Sequence, residues 1–177
     1  MATYVALLRG INLGPHNRIA MPALREALAE SGLEDVQTYL QSGNVVLSSR
    51  AKADGVRRKV EQAVRDGFGL EIAVVVRSRA ELATVVRRNP LAKVVTEPKR
   101  YQVTFLDRHL PAQALRELEA VAAPSERVVA SGREVYAWHP AGVARSKLWA
   151  KLAGKGLGVT ATSRNWATVE ALAELAS

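Results

Sequence analysis

The chain has 177 residues, 48% hydrophobic and 24% charged, with no cysteine and a formal net charge of +8. These values fit one ordinary globular domain or two small ones and argue against disorder. The missing thiols exclude disulfides, thiolate catalysis and cysteine-ligated zinc, while the positive charge favours anionic partners such as nucleic acid, a nucleotide or another phosphate-bearing ligand.

Residues 1–8 are largely apolar, but Arg9-Gly10 interrupts them and no basic stretch precedes them, so they do not read as a secretion signal. No apolar run approaches the roughly 20 residues needed to span a bilayer. A cytoplasmic chain with no membrane role is expected. Residues 4–8 predict a buried strand, and Gly10, Gly14 and Pro15 mark the loop after it. Pro22 suits a first helical position, Leu24, Ala27 and Leu28 follow helical spacing, and Gly32 stops the helix. Residues 36–41 and 45–49 are β-rich runs joined at Ser42-Gly43-Asn44, a hairpin signal. Asp54 is placed to cap a second helix, with Val56, Val60, Ala63 and Val64 on one face and Gly67 at its end. Residues 70–76 complete the set as a fourth strand.

That order, β-α-β-β-α-β, predicts a split-βαβ, ferredoxin-like unit: an antiparallel sheet with both helices on one face. Ser78 and Glu81 have capping-box spacing and open a further helix, which Asn89-Pro90 ends. Residues 91–100 are polar and contain Pro98, the best linker in the chain.

The pattern then starts again. Residues 101–106 predict a strand and 112–122 a helix. Residues 127–130 and 135–138 are strands joined at Ser131-Gly132-Arg133, Ser146 caps a helix through Leu152, and 159–162 form a last strand. A closing helix follows from about Trp166. The expected architecture is therefore α+β, two tandem ferredoxin-like repeats. Residues 1–90 make the first repeat with its linking helix, and 91–177 the second with its C-terminal helix. One continuous α+β domain is the rival reading.

Two polar constellations stand out. Arg9 and Asn12 follow the first strand, and the topology puts them at the same sheet edge as Gln41, Ser42 and Asn44. The loop 9–14 lacks the Lys-Ser/Thr end of a P-loop and the three-glycine dinucleotide fingerprint. The five side chains either satisfy loop backbone or bind an oxyanion or a polar planar group. The second constellation pairs Arg145, Ser146 and Lys147 at one helix start with Arg164 and Asn165 at the next. Residues 145–164 hold five cations and no acid. Helix starts attract anions, and added cations strengthen that; capping by Ser146 and Asn165 is the structural alternative.

His16, His109 and His139 lie far apart in sequence, with no carboxylate at metal-ligand spacing, so no metal or other cofactor is implied. A hydrolase triad would need Ser42 or Ser146 beside one of these histidines, and neither serine sits in a nucleophile elbow. Trp138, Trp149 and Trp166 read as core. Of the first-repeat strands at 4–8 and 45–49, only Tyr4 offers an aromatic ring, which disfavours base stacking of RNA on the sheet.

Four stretches taken together, Ala6-Leu7-Leu8-Arg9-Gly10-Ile11-Asn12, Tyr39-Leu40-Gln41-Ser42-Gly43-Asn44-Val45, Arg145-Ser146-Lys147-Leu148 and Thr162-Ser163-Arg164-Asn165-Trp166, resemble a bacterial family of unknown function, number 1697. The resemblance covers essentially the whole chain and implies an α+β fold of this kind. It brings no activity, cofactor or catalytic residue with it. The residues themselves favour binding of a phosphate-bearing small molecule or nucleotide. The alternatives are an enzyme of transfer or hydrolysis using Arg and Lys to stabilise negative charge, non-sequence-specific nucleic-acid binding, and a structural or partner-binding role.

Overall fold

The computed structural model describes residues 1–177. It is a mixed α+β structure with two four-stranded antiparallel sheets and six α-helices. The chain divides into two compact units: Met1–Thr84 with Leu172–Ser177, and Val85–Ala171. No helix is long and apolar enough to cross a membrane.

The first unit runs β1 (Ala2–Leu8), α1 (Met21–Glu30), β2 (Glu34–Tyr39), β3 (Asn44–Ser49), α2 (Ala53–Phe68) and β4 (Val74–Ser78), and contains the start of α3 (Arg79–Arg88). Its strand order is β2-β3-β1-β4. Alternation along β1 sends Tyr4, Ala6 and Leu8 into a core shared with Leu24 and Leu28 of α1 and with Val56, Val60 and Val64 of α2. Val5 and Leu7 point to the other face and are also buried.

The second unit repeats the plan. It runs β5 (Tyr101–Leu106), α4 (Ala112–Val121), β6 (Arg127–Ser131), β7 (Glu134–Trp138), α5 (Lys147–Ala153) and β8 (Ala161–Asn165), and contains the start of α6 (Trp166–Ala176). A 3-10 turn at Pro98–Arg100 leads into β5. The strand order is β6-β7-β5-β8, and Leu106, Leu118, Val135, Ala137, Leu148 and Leu152 form its core. Tyr136 is fully buried, and its hydroxyl donates to the Val85 carbonyl at 3.0 Å. Tyr136→Phe removes that bond from a dry site and is expected to cost about 1 kcal/mol in denaturant titrations, with the m-value unchanged.

Most predicted elements lie where the sequence puts them, and the capping box is complete. The Glu81 N–H donates to Ser78 Oγ at 3.1 Å, and the Ser78 N–H donates to Glu81 Oε1 at 2.9 Å. Three details differ. Asp54 does not cap α2; it lies in the first turn and accepts from Arg57. The helix runs past Gly67 and stops at Gly69, which takes the left-handed conformation at φ +66°. The fourth strand of each unit lies further along than predicted, at Val74–Ser78 and Ala161–Asn165, so that each takes in an arginine. Arg77 pairs across from Val5 and Arg164 across from Val103.

Candidate functional site

The hairpin of the second unit builds the more developed site. Gly132, at φ +61°, turns β6 into β7, and the register pairs Arg127 with Trp138. One step beyond that ladder stand Glu126 and His139. The Glu126 Oε2 oxygen lies 2.6 Å from His139 Nδ1 and accepts the Ser146 hydroxyl at 2.6 Å. Its Oε1 accepts the Ala123 N–H at 2.9 Å. Ser146 in turn caps α5, accepting the Trp149 N–H at 3.0 Å. The chain reaches Ser146 from His139 through a tight loop, in which the Gly142 N–H donates to the His139 carbonyl and Gly142 sits at φ +87°.

Electrostatics follow from that packing. Glu126 is 9% exposed. Burial pushes its carboxyl up, but the Ser146 hydroxyl, the Ala123 N–H and His139 outweigh it and hold the group below its ordinary 4.5. It is a buried carboxylate whose charge is answered on both oxygens. His139 is wholly buried, edge-on to the Trp149 ring at 6.0 Å, with Nε2 unpartnered. The set is not a nucleophilic triad. Such a relay needs the serine on Nε2 and the acid on Nδ1; here both Ser146, at 3.2 Å, and Glu126 face Nδ1.

A cleft of about 670 Å³ opens beside this network, walled by Val121, Ala123, Glu126 and Ser146, with Arg145 and Lys147 exposed along it. Arg145, Ser146 and Lys147 are thus brought together as the sequence suggests. Arg164 and Asn165 are not among the cleft-lining residues. Arg164 is a buried strand residue whose guanidinium donates to Thr162 Oγ1 at 2.7 Å and to the Ser163 carbonyl at 2.8 Å; burial pulls its pKa down to about 10. Asn165 caps α6 by accepting the Thr168 N–H at 3.0 Å.

In the first unit the predicted cluster is assembled at one sheet edge. The Asn12 side chain donates to the Gln41 carbonyl at 2.7 Å and to the Ile19 carbonyl at 2.9 Å, and accepts the Ile19 N–H at 2.9 Å. Asn44, fully buried, donates to the Tyr39 carbonyl and to Ser42 Oγ, both at 2.9 Å. These amides clamp one loop to the other. Arg9 is half-buried and the Gln41 side chain is exposed.

Glu126 and His139 are the site residues that motif spacing does not reveal. Hairpin register does: the residues paired across the Gly132 tip have numbers summing to a constant, and 126 and 139 continue that series.

The fold and cleft define a small α+β protein with a basic-rimmed cleft in its second unit. The family model for DUF1697, described as a protein of unknown function, matches residues 1–136, and the chain belongs to that family. The matched stretch contains the clamped loops and ends before His139 and the α5 start. The chain is similar in fold to the conserved bacterial protein SP0830 from Streptococcus pneumoniae, at 21% identity over 99% of both chains with a TM-score of 0.80. No curated protein sequence matches it.

Proposed function

We propose that this is a cytoplasmic protein of two tandem ferredoxin-like repeats that binds a phosphate-bearing small molecule or nucleotide in the cleft of the second unit. The duplicated strand order, with the edge pair β2-β3 mirrored by β6-β7, supports the repeat reading. The binding reading rests on one observation: a cleft of about 670 Å³ that carries Arg145 and Lys147 with the Ser146 hydroxyl between them. That volume lies within the range of small-molecule pockets. The apolar wall at Val121 and Ala123 suits a nucleoside or similar body, and the two cations suit its anionic end. Glu126 carries a negative charge in the same wall, and both its oxygens already accept hydrogen bonds from within the protein, so the two cations must outweigh it for such a ligand to bind.

Calorimetry with inorganic phosphate, ADP and ATP tests the reading. Binding that weakens by about 10- to 100-fold in the Arg145→Ala/Lys147→Ala double variant is expected, from charge-assisted bonds of about 1.5–3 kcal/mol. Absence of binding, or equal binding by the double variant, would sink it.

A further inference from the structure

We propose that Ser146 is a phosphoryl acceptor in the second-unit cleft and that the Glu126 carboxylate takes its hydroxyl proton, an inference that rests on the phosphate reading of that cleft. Both side chains line the cleft. The Ser146 hydroxyl donates to Glu126 Oε2 at 2.6 Å. That carboxylate is held in turn by the Ala123 N–H on Oε1 and by His139 Nδ1 on Oε2. A hydroxyl bonded to a base that a third group orients is the arrangement that activates a nucleophile. His139 is the orienting group here and not the base. An ionised carboxylate only accepts, so Nδ1 carries the proton of their contact and has no lone pair for the serine proton. Ser146 Oγ uses one lone pair on the Trp149 N–H. Its 3.2 Å contact with His139 Nδ1 is secondary to that nitrogen's 2.6 Å bond to Glu126. The other lone pair is left for attack, and the side chain is only half-buried.

The fold itself does not require this set. The first unit has the same plan, yet the residue before its β2 strand is Leu33, a core leucine, and α2 starts from Lys52 with no side-chain cap. In the second unit Ser146 alone supplies the cap of α5. Burying Glu126 and His139 behind it adds a desolvation cost, and His139 Nε2 finds no partner. Ionisable groups buried at a cleft wall beyond what the cap needs point to chemistry at the hydroxyl. In the step, Ser146 Oγ bonds to the terminal phosphorus of a nucleoside triphosphate or an acyl phosphate as the bond from that phosphorus to its leaving oxygen breaks. The electron pair departs with the nucleoside diphosphate or carboxylate, and the hydroxyl proton passes to Glu126 Oε2. Arg145 and Lys147, exposed on the cleft, answer the charge on the phosphoryl oxygens. Positioning and charge stabilisation dominate such transfers, so a carboxylate held below its ordinary 4.5 serves as the acceptor. Its protonation removes a negative charge as the phosphoryl group arrives beside it.

The test incubates the full chain with magnesium ATP and, separately, with acetyl phosphate, and reads intact and peptide masses. One phosphoryl group per chain, mapped to Ser146, is expected from at least one donor. Ser146→Thr keeps the hydroxyl and the cap and should carry the group at the same position, whereas Ser146→Ala should carry none there. Glu126→Gln, checked for folding by circular dichroism and assayed at saturating donor, should slow the transfer by about 100-fold. No phosphoryl gain from either donor, gain only at other residues, or an unchanged rate in Glu126→Gln would overturn the inference. Calorimetry with ADP separates it from the reading beneath it: ADP bound without transfer overturns the acceptor role and leaves the phosphate cleft standing.

Discussion

Gly43→Ala is expected to destabilise the protein by about 3 kcal/mol, from overpacking of about 1–3 kcal/mol and left-handed backbone strain of about 1–2 kcal/mol. Gly43 sits at φ +85° in the turn between β2 and β3, and its carbonyl accepts the Leu8 N–H at 2.9 Å. A Cβ there would lie 2.8 Å from the Leu8 Cβ and 2.9 Å from the Ile11 Cδ1. Neither neighbour yields easily. Leu8 presents a Cβ, which moves only with its backbone, and both residues are essentially fully buried. Gly10 supplies the control. It has a similar φ, +67°, but nothing within 4 Å of a built Cβ. Gly10→Ala should therefore cost only the backbone part, about 1 kcal/mol. Urea titrations followed by far-UV circular dichroism compare the two. Equal losses would mean that close approach of the turn to the β1 end contributes nothing.

The same turn shows what was legible in the sequence. Ser42-Gly43 and Ser131-Gly132 mark both hairpins, and in both the glycine takes a positive φ; the first turn adds Leu40 at φ +59°, which no local sequence rule anticipates. Pattern and turn chemistry locate such features because they act over a few residues. The last strand of each unit departs from the sequence expectation for the opposite reason. Residues 70–73 are apolar enough to read as strand, but Leu70 and Ile72 reach the core from an irregular segment. Pairing with the central strand sets the true span, and it draws in Arg77 and Arg164, residues that local rules assign to loops. Long-range register overrides propensity there. This changes the candidate site as well. Arg164 reads from sequence as a cation at a helix start, whereas in the fold it is a buried strand residue engaged with Thr162 and Ser163. Ser146 is a true cap, a local feature that the Ser-Lys-Leu-Trp order encodes, and Asn165 caps the next helix, so both residues take the structural role offered as the alternative to an anion site. Histidine spacing alone separates His139 from any acid; only the hairpin register brings it to Glu126.

Glu126→Ala is the second large effect, and it probes whether this network holds the cleft. The substitution strips the Ser146 hydroxyl, the Ala123 N–H and His139 Nδ1 of their common acceptor. His139 already has Nε2 unpartnered, so its fully buried ring would be left with only the longer Ser146 contact. Removing one member of a buried hydrogen-bonded set costs about 1–3 kcal/mol for each neutral group stranded, and about 3 kcal/mol in total is expected here after water enters from the cleft. The pH dependence has a definite sign. The folded-state pKa of Glu126 lies below 4.5, so its contribution is present above the unfolded value and is lost as pH falls through 4.5 toward the folded value. Glu126→Gln, which keeps one acceptor oxygen, should cost less at neutral pH and should flatten that acid limb. Trp149 reports on the change locally, since its N–H bonds Ser146 and its ring meets the His139 ring edge-on. Ligand binding separates two roles for the same carboxylate. As a bare negative charge in the cleft, Glu126 would weaken phosphate binding, and its removal would tighten it. As the group that fixes Ser146, and through it the Arg145–Lys147 segment, its removal should weaken phosphate binding despite the gain in positive charge. Tighter binding by Glu126→Ala at unchanged stability would contradict the second role.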